Sequence, residues 1–167
     1  FDYGTYQKYT YSDVDIFLLD AQTFQSKTES DLYGDKQIER LFQEIHNNGA
    51  TFTIIASSVP FTFDTGDSFL NYQKQFDYFL YRLEMSQLKS VLLLSSSKYK
   101  DVQMNQLSLS NNKMIYEFNV PSLESNFYSL INIHGEKGSR HLSFETYNQN
   151  GNLMYKKKFN ETELQLN

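Results

Sequence analysis

The chain has 167 residues, with 13 Tyr, 14 Phe, 2 Pro, no Trp and no Cys, and a formal net charge of −5. That length suits one domain, or a large piece of one, with a real core, and the aromatic, Pro-poor composition excludes a disordered linker. Mild acidity gives no electrostatic ground for nucleic-acid binding, the lack of cysteine excludes disulfides and thiolate metal sites, and no apolar run reaches the length of a transmembrane helix.

In chain order, Tyr3, Tyr6, Tyr9 and Tyr11 suggest an aromatic hairpin arm. The run 14–20 is almost unbroken apolar sequence, which predicts a strand buried on both faces that delivers Asp20 at its end. A helix is predicted over 35–48. Asp35 is its cap, Ile38, Leu41, Phe42 and Ile45 form its apolar stripe, and Gly49 is its stop. A strand is expected over 51–57, then a loop containing Pro60 and Gly66. Phe69, Tyr72, Phe76, Phe79, Leu80 and Leu83 predict a second helix over 68–86, and Val91, Leu92, Leu93 and Leu94 a buried strand over 91–95. Strand, helix, strand, helix, strand at these spacings implies βαβ crossovers and an α/β fold. After residue 110 the pattern changes. Strands are expected over 114–120, 127–133, 141–147 and 153–159 without helices between them, with turns at 134–138 and 148–151. No internal repeat is present, and the change marks a new layer of a single partial domain spanning 1–167.

Sites in open α/β sheets lie at the ends of strands. Two strands end in polar clusters: Asp20 followed by Gln22 and Gln25, and Ser95, Ser96, Ser97, Lys98 and Tyr99. Asp13 and Asp15 read as solvated residues at a strand entry, His46 as a helix end, and His134 and His141 as hairpin surface. Ser57, Ser58 and the serines at 95–97 have no nucleophile-elbow setting. Lys156, Lys157 and Lys158 read as a solvated strand edge, and Asn160-Glu161-Thr162 meets the glycosylation pattern.

The ordered set of these segments resembles the C-terminal half of the PhoD-like (alkaline phosphatase D-like) metallophosphatases, within the calcineurin-like phosphoesterases. The matching residues are Gly4-Thr5-Tyr6, Tyr9-Thr10-Tyr11, the run 13–20 ending Leu18-Leu19-Asp20, Tyr33-Gly34-Asp35-Lys36-Gln37, Ala50-Thr51-Phe52, Asn126-Phe127, and Phe144-Glu145-Thr146-Tyr147 with Gly151. The resemblance runs over nearly the whole chain. It implies a four-layer αββα sandwich, of which this chain supplies about one half plus C-terminal antiparallel strands. It also implies an extracytoplasmic location and a phosphoric ester hydrolase that uses divalent ions such as Ca, Fe, Mn or Zn.

The departures fall on the expected site. Where the family has Leu-Ser-Gly-Asp-x-His after the second buried strand, this chain has Ser96 for Gly, Ser97 for Asp and Tyr99 for the metal-binding His, with Lys98 between. A hydroxyl and a phenol are poor substitutes for a carboxylate and an imidazole. Gln22 and Gln25 stand where the family has two arginines, so the bidentate cationic fork for phosphate is lost. Asp20 is the best single functional candidate, with a supporting or structural role favoured over a catalytic one. No metal ligand is assigned and no cofactor is expected. The expectation is therefore a non-catalytic, pseudophosphatase scaffold or interaction subunit, whose apolar inner sheet face needs the missing N-terminal half of the domain or another subunit. The start at Phe1, without an initiator Met or a signal peptide, reads as a processing or cloning boundary. The competing expectation is the C-terminal half of an active phosphomonoesterase or phosphodiesterase whose metal ligands lie upstream.

Overall fold

The computed structural model describes residues 2–25, 31–46, 49–64, 66–86, 88, 90–97, 102–110, 112–121 and 126–164. The first hairpin pairs β1 (Gln7–Tyr11) with β2 (Val14–Leu19) antiparallel, turning through Ser12 and Asp13. Helix α1 (Asp35–His46) and helix α2 (Gln73–Met85) then alternate with β3 (Phe52–Ser57) and β4 (Val91–Ser97). Strands β5 (Gln103–Ser108) and β6 (Met114–Pro121) complete a six-stranded sheet of order β1-β2-β3-β4-β6-β5. Strands β2, β3, β4 and β6 run parallel, and β1 and β5 are the antiparallel edges.

Both crossovers step in the same direction along the sheet, so right-handed connections put both helices on one face. There the stripe Ile38, Leu41, Phe42 and Ile45 of α1 and Phe76, Phe79 and Leu83 of α2 bury against Phe17, Leu19, Ile55 and Leu93. The opposite face carries Val14, Phe52, Ile54, Leu92 and Phe118 and packs on a second sheet. That sheet is β7 (Phe127–His134), β8 (His141–Asn148) and β9 (Leu153–Asn160), antiparallel in the order β7-β8-β9. Phe118 stacks on Phe144 across the interface at 4.1 Å between ring centres, 10° from parallel. The described residues thus form three layers: helices, the six-stranded sheet and the three-stranded sheet.

The local differences from expectation have physical causes. Helix α1 starts at Asp35 itself, and it is the Gly34 carbonyl that accepts from Ile38 N at 3.3 Å. Gly34 has φ +71, and a Cβ there would lie 2.9 Å from the Phe24 ring, so the glycine sets the entry and Asp35 occupies the first turn, where the helix dipole favours its charge. The predicted second helix is split. Ser68 caps a 3-10 turn at Phe69–Asn71, accepting from Leu70 N at 3.2 Å, and α2 begins only after the non-helical Tyr72. Strand β5 has no counterpart in the sequence pattern, because its polar sequence QMNQLS lacks an apolar alternation.

Strand β2 is not buried on both faces throughout. Leu18 is 37% exposed on the face away from the helices. On the same face of β1, Tyr9 and Tyr11, which pair with Ile16 and Val14, are 54% and 82% exposed. Among the described residues, β7–β9 cover Phe52, Ile54, Leu92 and Phe118 of the face expected to be open and apolar, and leave the β1–β2 end uncovered. No helix among the described residues is long and apolar enough to cross a membrane.

Candidate functional site

The C-terminal ends of β2, β3 and β4 open into a cleft of about 750 Å³. Ala21, Gln22 and Gln25 line it from the segment after β2, Ser58 and Pro60 from the segment after β3, and Ser96 from β4. The far wall is the loop before α2, with Asp64, Gly66, Asp67, Asn71 and Tyr72. The structure thus brings Gln22, Gln25 and Ser96 together around one cavity. Gln25 Nε2 donates to the Tyr72 hydroxyl at 3.1 Å, which ties the two walls across the mouth. Ser97 ends β4, and Lys98 and Tyr99 lie outside the described residues.

Asp20 does not line this cleft. Its carboxylate turns back and collects five donors. One oxygen accepts from Thr5 N at 2.7 Å, Thr5 Oγ1 at 3.0 Å and Thr23 Oγ1 at 2.6 Å. The other accepts from Gln22 N at 2.9 Å and Thr23 N at 3.0 Å. Burial pushes the carboxyl up, but the Thr23 hydroxyl and the backbone N–H groups of Thr23, Thr5 and Gln22 outweigh it and hold the group well below the usual carboxylate range. Gln37 grips the Asp20 backbone from both sides, accepting from its N–H at 2.7 Å and donating to its carbonyl at 3.0 Å. Asp20 is therefore the knot that fixes the segment carrying Gln22 and Gln25.

A second carboxylate fixes the opposite wall, and sequence reasoning missed it. Glu117 on β6 is 1% exposed. Its Oε1 accepts from Phe61 N at 2.9 Å and from the Ser95 hydroxyl, and its Oε2 from Thr62 N at 2.6 Å and Thr62 Oγ1 at 2.5 Å. Asn119 Nδ2 donates to Ser95 Oγ at 2.8 Å, and Asn105 Nδ2 to Thr62 Oγ1 at 2.9 Å. The only available sign was parity: Glu117 falls on the same side of its strand as buried Ile115. Among the serines, Ser95 is absorbed into this network, and Ser57 accepts from the Tyr33 hydroxyl at 2.8 Å.

Asp13 and Asp15 are paired rather than solvated. Asp13 sits in the β1–β2 turn and accepts from Arg140 Nε at 2.8 Å and Thr51 Oγ1 at 2.6 Å. Asp15 is buried, accepting from Thr10 Oγ1 at 2.5 Å and meeting Lys8 Nζ at 3.2 Å. Lys156, expected as a solvated edge, pairs with Glu145 on the outer face of the second sheet.

The described lining of the cleft offers oxygen donors, of the kind that hard ions such as Ca²⁺ take, and none of the nitrogen donors that Zn²⁺ favours. The strand-end positions supply amides and hydroxyls, the cleft's carboxylates Asp64 and Asp67 stand on the loop wall, and no imidazole is among the lining residues. Among the described residues, no three His, Asp or Glu side chains group as ligands for one ion.

No protein-family model matches this sequence, and no curated protein matches it. A solved structure of PhoD matches the fold with a TM-score of 0.66 and 13% sequence identity, over 96% of this chain and 42% of the PhoD chain. The chain thus spans less than half the length of that structure. At this identity the likeness concerns the fold alone, and the six-stranded mixed sheet with its facing antiparallel sheet is PhoD-like in fold.

Proposed function

We propose that this chain is a non-catalytic, pseudophosphatase scaffold or interaction subunit of a larger extracytoplasmic protein or assembly. The observation that carries the reading is the chemistry of the cleft at the strand ends. Its described lining offers Gln22, Gln25, Ser58, Ser96 and Asn71 with the carboxylates Asp64 and Asp67, and no Lys, Arg or His. A phosphate ester would meet like charge and neutral dipoles, whereas phosphoryl chemistry needs cations at the oxygens where charge develops. The positions where the resembled family has its Arg pair and its Gly, Asp and His are read as a degenerate site whose scaffold persists, because Asp20, Gln37 and Glu117 still brace both walls. The same amides and hydroxyls suit contact with a partner.

The partner is the remaining half of a four-layer αββα domain or another subunit. Support comes from the exposed Tyr9, Tyr11 and Leu18, which continue an apolar face that β7–β9 cover elsewhere. The 42% coverage of the PhoD chain agrees with a further half that completes the sandwich. The competing reading is a divergent phosphomonoesterase or phosphodiesterase with ligands supplied from outside this chain. The position of the cleft at the ends of three parallel strands favours it.

Orthophosphate and vanadate titrations of the longest natural polypeptide that contains this chain, followed through the backbone amides of Gln22, Gln25 and Ser96, separate the two. The scaffold reading expects no saturable shift at millimolar anion. Saturable shifts at these three amides would favour the enzyme.

A further inference from the structure

The outer face of the three-stranded sheet carries two histidines that the cleft does not use. His134 ends β7 and His141 begins β8, and the two are direct cross-strand partners. Directly paired residues of an antiparallel ladder project from the same face with their Cβ atoms about 4.5–5.5 Å apart. Both side chains are exposed, and their ring centres lie 5.6 Å apart. An ion bound at about 2.0–2.1 Å to two imidazoles in tetrahedral geometry holds the ring centres roughly 5 Å apart, so the observed spacing needs only a small ring rotation.

The surroundings pre-organise the pair. His141 Nδ1 lies 2.8 Å from Asn160 Oδ1 on β9, a contact in which the ring N–H donates to the amide oxygen and Nε2 is left as the ligand atom. The hairpin joining the two histidines is pinned. Glu161 Oε2 accepts from Gly138 N at 3.0 Å and Arg140 N at 3.1 Å, and Arg140 Nη1 donates to the Gly135 carbonyl at 2.8 Å. Arg140 Nε also reaches Asp13 in the other sheet. The strand ends bearing the ligands are therefore held by both sheets.

We propose that His134 and His141 form a surface site for a late divalent transition metal, with Asn160 as the positioning residue for His141. Imidazole nitrogens suit Zn²⁺, Ni²⁺ and Cu²⁺, with Cu²⁺ the tightest by the general order of divalent affinities. Two protein ligands leave coordination positions open for water or for a donor from a bound ligand. The site is independent of the cleft and of the scaffold reading.

The test is titration of the full chain with Zn²⁺ by calorimetry, with Cu²⁺ electron paramagnetic resonance as the structural readout. The expected result is one equivalent of Zn²⁺ and a Cu²⁺ spectrum showing two coordinated imidazole nitrogens. His134→Asn and His141→Asn should each weaken Zn²⁺ binding roughly tenfold or more, and Asn160→Ala should weaken it less, while leaving the circular dichroism and melting temperature unchanged. His46→Asn, on α1, should leave affinity unchanged. Affinity that survives either hairpin substitution, binding lost in His46→Asn, or a spectrum with fewer than two imidazole nitrogens would overturn the assignment.

Discussion

Arg140 Nε donates to Asp13 Oδ2 at 2.8 Å, joining the hairpin of the three-stranded sheet to the β1–β2 turn of the six-stranded one. Both groups are largely shielded. Burial pushes the Asp13 carboxyl up, but bonds from Thr51 and Arg140 outweigh it and leave it lowered. A double-mutant cycle of Asp13→Asn and Arg140→Gln should return a coupling of about 1 kcal/mol by chemical denaturation. A coupling of zero would mean that this bridge adds nothing to the packing of the two sheets.

Glu117→Gln should destabilise the chain by about 2–4 kcal/mol, because an amide NH₂ cannot replace a carboxylate oxygen that faces N–H and O–H donors. The loss follows from the bonds to Phe61, Thr62 and Ser95. Faster amide exchange at Phe61 and Thr62, with β1 and β2 unchanged, is the local signature to measure.

Asp20 gives a pH dependence. Its folded-state carboxyl lies below the ordinary value, so its stabilisation is complete above about pH 4 and disappears as pH falls through the folded value. Asp20→Asn should cost about 1.5–3 kcal/mol at neutral pH and flatten the acid limb of the stability curve. An acid limb identical to that of the parent chain would show that other carboxylates carry it.

Much of the α/β half was legible because it is written in apolar periodicity. The stripe Ile38, Leu41, Phe42 and Ile45 and the runs around Phe17, Ile55 and Leu93 are buried where their spacing puts them. The hairpin turns near Gly135 and Gly151 were also readable, both glycines having positive φ. What was not legible is polar. Glu117, Gln37 and Gln75 act through bonds to backbone that is distant in sequence, such as Gln75 Oε1 with Leu32 N at 3.0 Å, and no local pattern marks such a pair. For the same reason Asp20 could be placed at a strand end but not turned toward Thr5 rather than the cleft. Asp64 and Asp67 lie in a loop without periodicity, so their place in the cleft wall had no sequence mark.

The exposed Tyr9, Tyr11 and Leu18 give a prediction about association. Tyr11→Glu and Leu18→Glu should change the stability of the isolated chain by no more than about 0.5 kcal/mol, as surface substitutions do. They should also reduce binding of a fluorescent apolar dye and, on the scaffold reading, abolish co-purification with the proposed covering half or subunit. Retained co-purification would place the partner elsewhere.

On the scaffold reading, the strand-end cleft does no phosphoryl chemistry. The most direct test is turnover of an aryl phosphate and a bis-aryl phosphodiester with Ca²⁺, Mn²⁺, Fe²⁺ or Zn²⁺ added in turn. The assay uses both this chain and the longest natural polypeptide that contains it, each carrying His134→Asn and His141→Asn so that hairpin-bound metal does not contribute. Rates equal to those of buffer and metal alone are expected for every ion. Metal-dependent turnover in these proteins, lost on Asp64→Asn or Asp67→Asn in the cleft wall, would contradict the scaffold reading.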